Sequence, residues 1–205
     1  LNGETGKELL TAGNRVGIHG LCYYDSGSRS FYTIREPITD PKKVKGVKLR
    51  VLPSRTAMNM VSTMGGAPTP IPYGELYTAL QQGMVDGAEN SAPSLLSSRH
   101  YEVAKHYSLD EHTSIPDMVI FSQDVWNSLS PQVRRWVEQA AAESVEFQRK
   151  LWIEKTNEAL IQVEEAGVTI YRPDKAPFME ATMPMYEKLA GKPIGILAQR
   201  IREVK

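Results

Sequence analysis

The sequence is short of several things, and each shortage excludes a class of function. Its 205 residues contain one cysteine, Cys22, which rules out a disulfide framework and a multi-cysteine metal site. The four histidines, His19, His100, His106 and His112, stand at no metal-ligand spacing, so no metal site is expected. There is no G-x-S-x-G elbow, no P-loop and no G-x-G-x-x-G run. Proline and glycine interrupt every uncharged stretch before it is long enough to span a bilayer as a helix. Neither charge sign dominates: 24 Lys and Arg balance 24 Asp and Glu, and the basic footprint of a nucleic-acid binder is missing. With 41% hydrophobic residues, one large or two small domains with real cores remain, of α/β type.

Local patterns supply the elements. Arg15 to Tyr24 (RVGIHGLCYY) is apolar and β-prone and predicts a buried strand; Asp25 to Ser28 breaks it, and Arg29 to Ile34 resumes as another. Gly46 to Leu52 (GVKLRVL) is a short strand ended by Pro53. Ser54 then caps a helix running to Met64, followed by an extended piece at Thr69 to Pro72. A helix at Gly74 to Gln82, a strand at Val85 to Glu89 and a mostly helical stretch from Pro93 to Tyr107 continue the alternation. Strand and helix in turn, with short links, predict a parallel sheet with crossover helices. Met118 to Ser122 is a further buried strand.

The clearest element comes next. Ser130 caps, Pro131 takes the first helical position, and nothing stops the helix before Glu165 or Ala166, with Gly167 beyond. About 35 residues at 1.5 Å each make roughly 50 Å, more than one small domain needs, so the helix is expected to serve two. A strand at Val168 to Tyr171 and helices at Lys175 to Ala190 and Ile194 to Val204 complete the chain. The opening LNGETGKELLTAGN reads as the tail of a helix, and an N-terminal part of the protein is expected to precede it.

Several side chains stand where a sheet presents its ligand-binding edge. Arg50 alternates with Leu49 and Val51 near the end of its strand, just before a helix start. Ligands of open α/β sheets bind outside the carboxyl ends of strands, and a guanidinium there grips a carboxylate with two parallel hydrogen bonds. A structural arginine fits the same position. Asp86, Glu89 and Asn90 (MVDGAENS) end the following strand. The two carboxylates would make an acid/base pair for a hydrolase, although three residues apart on a strand they point to opposite faces. A turn-forming Asp-Gly with a capping Asn reads equally well. Tyr73 precedes the next helix in the same way.

The run from GVKLRVLPSRTAMNMVSTMGG through APTPIPYGELYTALQQGMVDGAENSAPSLL to HYEVAKHYSL resembles the substrate-binding proteins of TRAP transporters, of the four-carbon-dicarboxylate-binding type. The resemblance extends from SRSFYTIREPIT to SLSPQVRRWVEQAA and covers essentially the whole chain. It implies a two-domain periplasmic-binding-protein-like α/β fold with hinge strands and a long domain-spanning helix. Residues 1–26 and 116–155 would belong to the N-terminal domain, and 27–115 and 156–205 to the C-terminal one. It also implies a non-enzymatic role without cofactor: a monomer in the periplasm, its signal peptide outside this sequence, that binds a small organic acid anion in a cleft and delivers it to membrane permease subunits. The acid is a dicarboxylate or a sugar acid such as a uronate. By the same resemblance Arg50 is the principal carboxylate-binding arginine, Arg29 a second basic residue, Tyr73 the aromatic position and Asn90 the amide of the GxEN motif, with Glu89 beside it. Ser91-Ala92-Pro93 departs from the usual sequence after that Asn and leaves the adjoining pocket wall undefined. A hydrolase using Asp86 and Glu89 and the ligand-sensing domain of a regulator are the alternative readings.

Overall fold

The computed structural model describes residues 3–203. Along the chain come α1 (Glu4–Ala12), β1 (Ile18–Tyr24), β2 (Ser28–Thr33), β3 (Lys48–Val51), α2 (Arg55–Thr63) and β4 (Ala67–Pro70). Next are α3 (Leu76–Gln81), β5 (Gly87–Asn90), α4 (Ala92–Ser97), β6 (His106–Ser114), β7 (Asp117–Ser122) and α5 (Gln123–Ser128). The long α6 (Pro131–Glu165), β8 (Thr169–Tyr171), α7 (Ala176–Glu187) and α8 (Pro193–Arg202) follow. The expected end of the last helix at Val204 lies outside the described residues.

Two compact units result: Leu1–Gly27 with Ile115–Glu154 and Gly191–Lys205, and Ser28–Ser114 with Lys155–Ala190. This division groups Gly191–Lys205 with the first unit, whereas the sequence reading keeps 156–205 together. In the first unit, Arg200 of α8 donates to the Glu8 carboxylate and to Thr5 Oγ1 on α1, which ties α8 there. Helix α6 supplies residues to both units. It starts and stops where its sequence dictates: Ser130 Oγ accepts the Val133 N–H, and Gly167, at φ 87°, lets the chain leave through bonds from Gly167 N to Glu164 O and Val168 N to Val163 O.

In the first unit β1 pairs antiparallel with β7. Strand β7 is not the buried strand expected, since Met118 and Ile120 are exposed. The second unit holds a six-stranded sheet in the order β4-β3-β5-β2-β6-β8. It is mixed rather than parallel: β4, β3 and β5 run together, β2 is antiparallel to both its neighbours β5 and β6, and β6 and β8 run together. Helices cover both faces. Tyr32, Ala88 and Tyr107 pack with Leu76, Leu80, Leu95, Ala159 and Val163 on one face. Phe31, Leu49 and Val51 pack with Met60, Val61 and Phe178 on the other. The stretch read as helical to Tyr107 is α4, one 3-10 turn at His100–Glu102, and then the start of β6.

Gly87 of β5 lies opposite Thr33 of β2 with no room for a side chain. A Cβ there would sit 2.3 Å from the Tyr32 carbonyl oxygen, which as backbone cannot move aside alone. Gly87→Ala is therefore expected to destabilise the protein by about 1–3 kcal/mol or more. Urea denaturation measures this, and an unchanged midpoint contradicts the packing described.

Candidate anion-binding site

The register brings the candidates to one edge of the six-stranded sheet. Arg50 of β3 lies opposite Ala88 of β5, Ala88 opposite Tyr32 of β2, and Tyr32 opposite Tyr107 of β6. Asn90 ends β5, and because β2 runs the other way its first residues, Ser28 and Arg29, reach the same edge. The end of β6 arrives there too, with Thr113 opposite Arg29. An antiparallel strand inserted among parallel ones thus adds its N-terminal arginine to the carboxyl ends of its neighbours.

Arg50 is buried, with 1% of its surface exposed. Its Nε donates to the Ile71 carbonyl at 2.8 Å, and its guanidinium carbon stands 5.5 Å from the Tyr73 ring centroid. Its Nη1 is buried without a hydrogen-bond partner among the described residues. Burial pushes the Arg50 pKa down, and the Glu89 carboxylate, close enough to act on it, favours its charge. A guanidinium remains protonated at neutral pH under such pressure. Beside it, His100 is held neutral: burial and then the Arg50 charge bring its pKa down to about 4. His100 Nδ1 is 2.9 Å from the Tyr32 hydroxyl. Tyr73 is half-exposed, and its hydroxyl pairs with Ser98 Oγ at 2.6 Å.

Arg29 is arranged in the opposite way. Its Nε meets Glu89 Oε2 at 2.5 Å and its Nη2 meets Oε1 at 2.9 Å, a bidentate fork. Nη2 also donates to the Glu89 carbonyl at 2.9 Å, and Nη1 to Asn90 Oδ1 at 2.8 Å. Asn90 Oδ1 further accepts the Ser91 N–H at 2.9 Å, so both bonds fall on the oxygen and neither uses the donor half of the amide. Arg29 therefore commits all three of its nitrogens within the protein, whereas Arg50 commits Nε.

The two carboxylates proposed as a hydrolytic pair have separate tasks. Asp86 Oδ2 accepts the Lys48 N–H at the opposite end of β3. Glu89 is buried between Arg29 and His112. Burial pushes its carboxyl up, but His112 and Arg29 outweigh that and hold it below the ordinary carboxylate range. A carboxylate kept ionised between two cations is a poor general acid.

His112 and Asp110 were not among the sequence candidates. They sit in a bulge of β6, where the step from Phe31 to Arg29 on β2 is matched by the step from Ser108 to Thr113. His112 Nδ1 is 2.6 Å from Asp110 Oδ2, its ring stacks on Phe31 at 4.1 Å, and its Nε2 is 3.6 Å from Glu89 Oε2. That last distance suits an ion pair and exceeds a hydrogen bond. The signal available in the sequence was the D-x-H spacing, which puts both side chains on one side of a strand.

The match to known proteins is extensive. The family model for bacterial extracellular solute-binding proteins of family 7, DctP, matches residues 1–192. Protein YiiZ of Salmonella typhimurium is 42% identical over 193 residues, 92% of this chain and 58% of that protein. A TRAP periplasmic solute binding protein from a Bradyrhizobium species, solved in complex with α/β-D-galacturonate, is similar with a TM-score of 0.92 at 43% identity, over 99% of this chain and 68% of that one. Another from Chromohalobacter salexigens, solved with bound D-glucuronate, gives a TM-score of 0.95 at 35% identity, over 100% of this chain and 69% of that one. The chain spans less than two thirds of YiiZ.

Proposed function

Because the chain belongs to family 7 of the bacterial extracellular solute-binding proteins, a family of binding proteins rather than enzymes, we propose that it captures a uronate in the periplasm for a TRAP-type transporter. It acts as a monomer and hands the acid to the transporter's membrane subunits. The observation that carries the reading is Arg50, a buried guanidinium with one nitrogen bonded and Nη1 left unpaired. A buried donor without a partner is unfavourable unless a ligand supplies one. A carboxylate matches the two-pronged face of a guanidinium, and the donor half of Asn90 stands at the same sheet edge.

The charges of the cluster favour one carboxylate over two. Arg50, Arg29 and protonated His112 face Glu89 and Asp110, so three cations meet two anions and one positive charge remains. A uronate brings one negative charge and several hydroxyls. A four-carbon dicarboxylate brings a second negative charge with no cation left to meet it. D-galacturonate or D-glucuronate at about 100 times its dissociation constant is expected to add about 2.7 kcal/mol of stability, read as a raised melting temperature. Succinate at the same concentration is expected to add much less. Equal or greater stabilisation by succinate overturns the uronate reading.

A further inference from the structure

The bulge in β6 is more elaborate than turning a strand requires. Asp110 uses both oxygens: Oδ1 accepts the Phe31 N–H at 3.0 Å and Oδ2 pairs with His112. Glu111 takes up a left-handed φ of 49°, rare for a residue with a Cβ, and its N–H bonds to Ser30 Oγ at 3.1 Å. The bulge thereby turns His112 back against Phe31, toward the carboxylate that grips Arg29. Asp110 and His112 have side chains 0% and 1% exposed, so their charges act with little screening by water. The groups facing this couple are Glu89 from β5 and Arg29 from β2; on its outer side Glu111 is paired with Lys175 at the start of α7.

We propose that Asp110 is a positioning residue for the anion site: it keeps His112 an imidazolium against Glu89, and so holds the Glu89–Arg29 fork and the positive balance at the sheet edge. This rests on the uronate reading above. Geometry gives the direction of the effect. With His112 charged, Glu89 is shared between two cations, and more of Arg29's field reaches an incoming anion. With His112 neutral, Arg29 is offset by Glu89 alone and Asp110 is left uncompensated, so the anion is held more weakly. The histidine's titration agrees: burial opposes its charge, but Asp110 and then Glu89 outweigh burial and push its pKa up to about 9. The same shift makes His112 a stabilising group, fully so below its ordinary pKa of about 6.5 and no longer so once pH has risen through about 9.

The test compares wild type with Asp110→Asn in two measurements. The ring of His112 is titrated by NMR without ligand, its signal assigned by its loss in His112→Asn. D-galacturonate affinity is then measured by calorimetry from about pH 6 to about pH 10, a range in which its carboxylate stays ionised. Wild type is expected to bind evenly up to about pH 8 and to weaken roughly fivefold as His112 loses its proton, the effect of one nearby charge. In Asp110→Asn the NMR midpoint falls toward the ordinary histidine value and the weakening moves down with it. His112→Asn, should Asp110→Asn not fold, is expected to give a profile without that step. An unmoved midpoint overturns the proposal, as does a lowered midpoint with an affinity profile that stays parallel to wild type. Wild type that binds no uronate at any pH overturns the uronate reading and this one with it. That outcome is distinguishable, because the difference between the ligand-free midpoints of wild type and Asp110→Asn reports on Asp110 whether or not a uronate binds.

Discussion

Arg50→Met is expected to weaken uronate binding by at least about 30-fold while leaving the ligand-free protein as stable as wild type or more so. The two halves of that result have one cause. A buried guanidinium that bonds through Nε and leaves Nη1 unpaired is held against its own desolvation. Methionine fills much of the same space without a charge, and replacing buried ionic groups with apolar ones of similar volume is often neutral or stabilising by about 1–4 kcal/mol. The gain is offset in part by the lost bond to Ile71 and the lost contact with the Tyr73 ring. Binding loses its main anchor: removing one partner of a buried charge pair weakens association by about 2–5 kcal/mol, at least about 30-fold. Arg50→Lys restores the charge without the fork and is expected to recover little of the affinity. Calorimetry with D-galacturonate and thermal melts of the free proteins measure both halves. A variant that binds normally, or that loses several kcal/mol of ligand-free stability, contradicts the assignment of Arg50 as a ligand residue.

Glu89→Gln is expected to have the largest effect on stability, about 3–5 kcal/mol. Glu89 is the anion that Arg29 and His112 share, and its carboxyl is nearly inaccessible to water. Glutamine keeps the shape and removes the charge, leaving partly buried Arg29 and the buried His112 ring without the carboxylate they share. The pH dependence follows from which cations are present. As pH rises through about 9, His112 gives up its proton and the penalty shrinks toward that for Arg29 alone. In wild type, Glu89 works in the other direction: its lowered carboxyl pKa contributes stability above the ordinary carboxylate value, and acid removes it. Urea denaturation of wild type at about pH 3 and about pH 7 measures the acid effect, and comparison of wild type with Glu89→Gln at about pH 7 and about pH 10 measures the alkaline one. A loss below about 1 kcal/mol at neutral pH, or one that grows with alkalinity, contradicts the charge arrangement.

What the sequence revealed and what it concealed have physical reasons. Helix α6 was legible because its cap, its Pro131 and its closing Gly167 are local signals. Strand β3 was legible from its alternation and from Pro53, and the two together put Arg50 near a strand end. Strand β6 was not, because in HYSLDEHTS the apolar alternation stops after Tyr107 and Leu109: Asp110 and His112 are buried by pairing with each other, with the Phe31 N–H of β2 and with Glu89 of β5. Losing β6 meant losing the bulge, and with it Asp110 and His112. The direction of β2 is also invisible locally, since a strand's residues do not say which way its neighbours run. That hid why Arg29, at a strand's beginning, shares an edge with Asn90, at another strand's end. Glu89 and Asp86 are three residues apart in a strand-like run, and the alternation that separates them foretold their different tasks.

The most direct measurement pairs a ligand change with a residue change. D-galacturonate and its uncharged methyl ester are titrated calorimetrically into wild type and into Arg50→Met. If Arg50 grips the carboxylate, wild type prefers the acid by at least about 30-fold and Arg50→Met binds both weakly, with little preference between them. A variant that still prefers the acid as strongly as wild type does would show that another group holds the carboxylate.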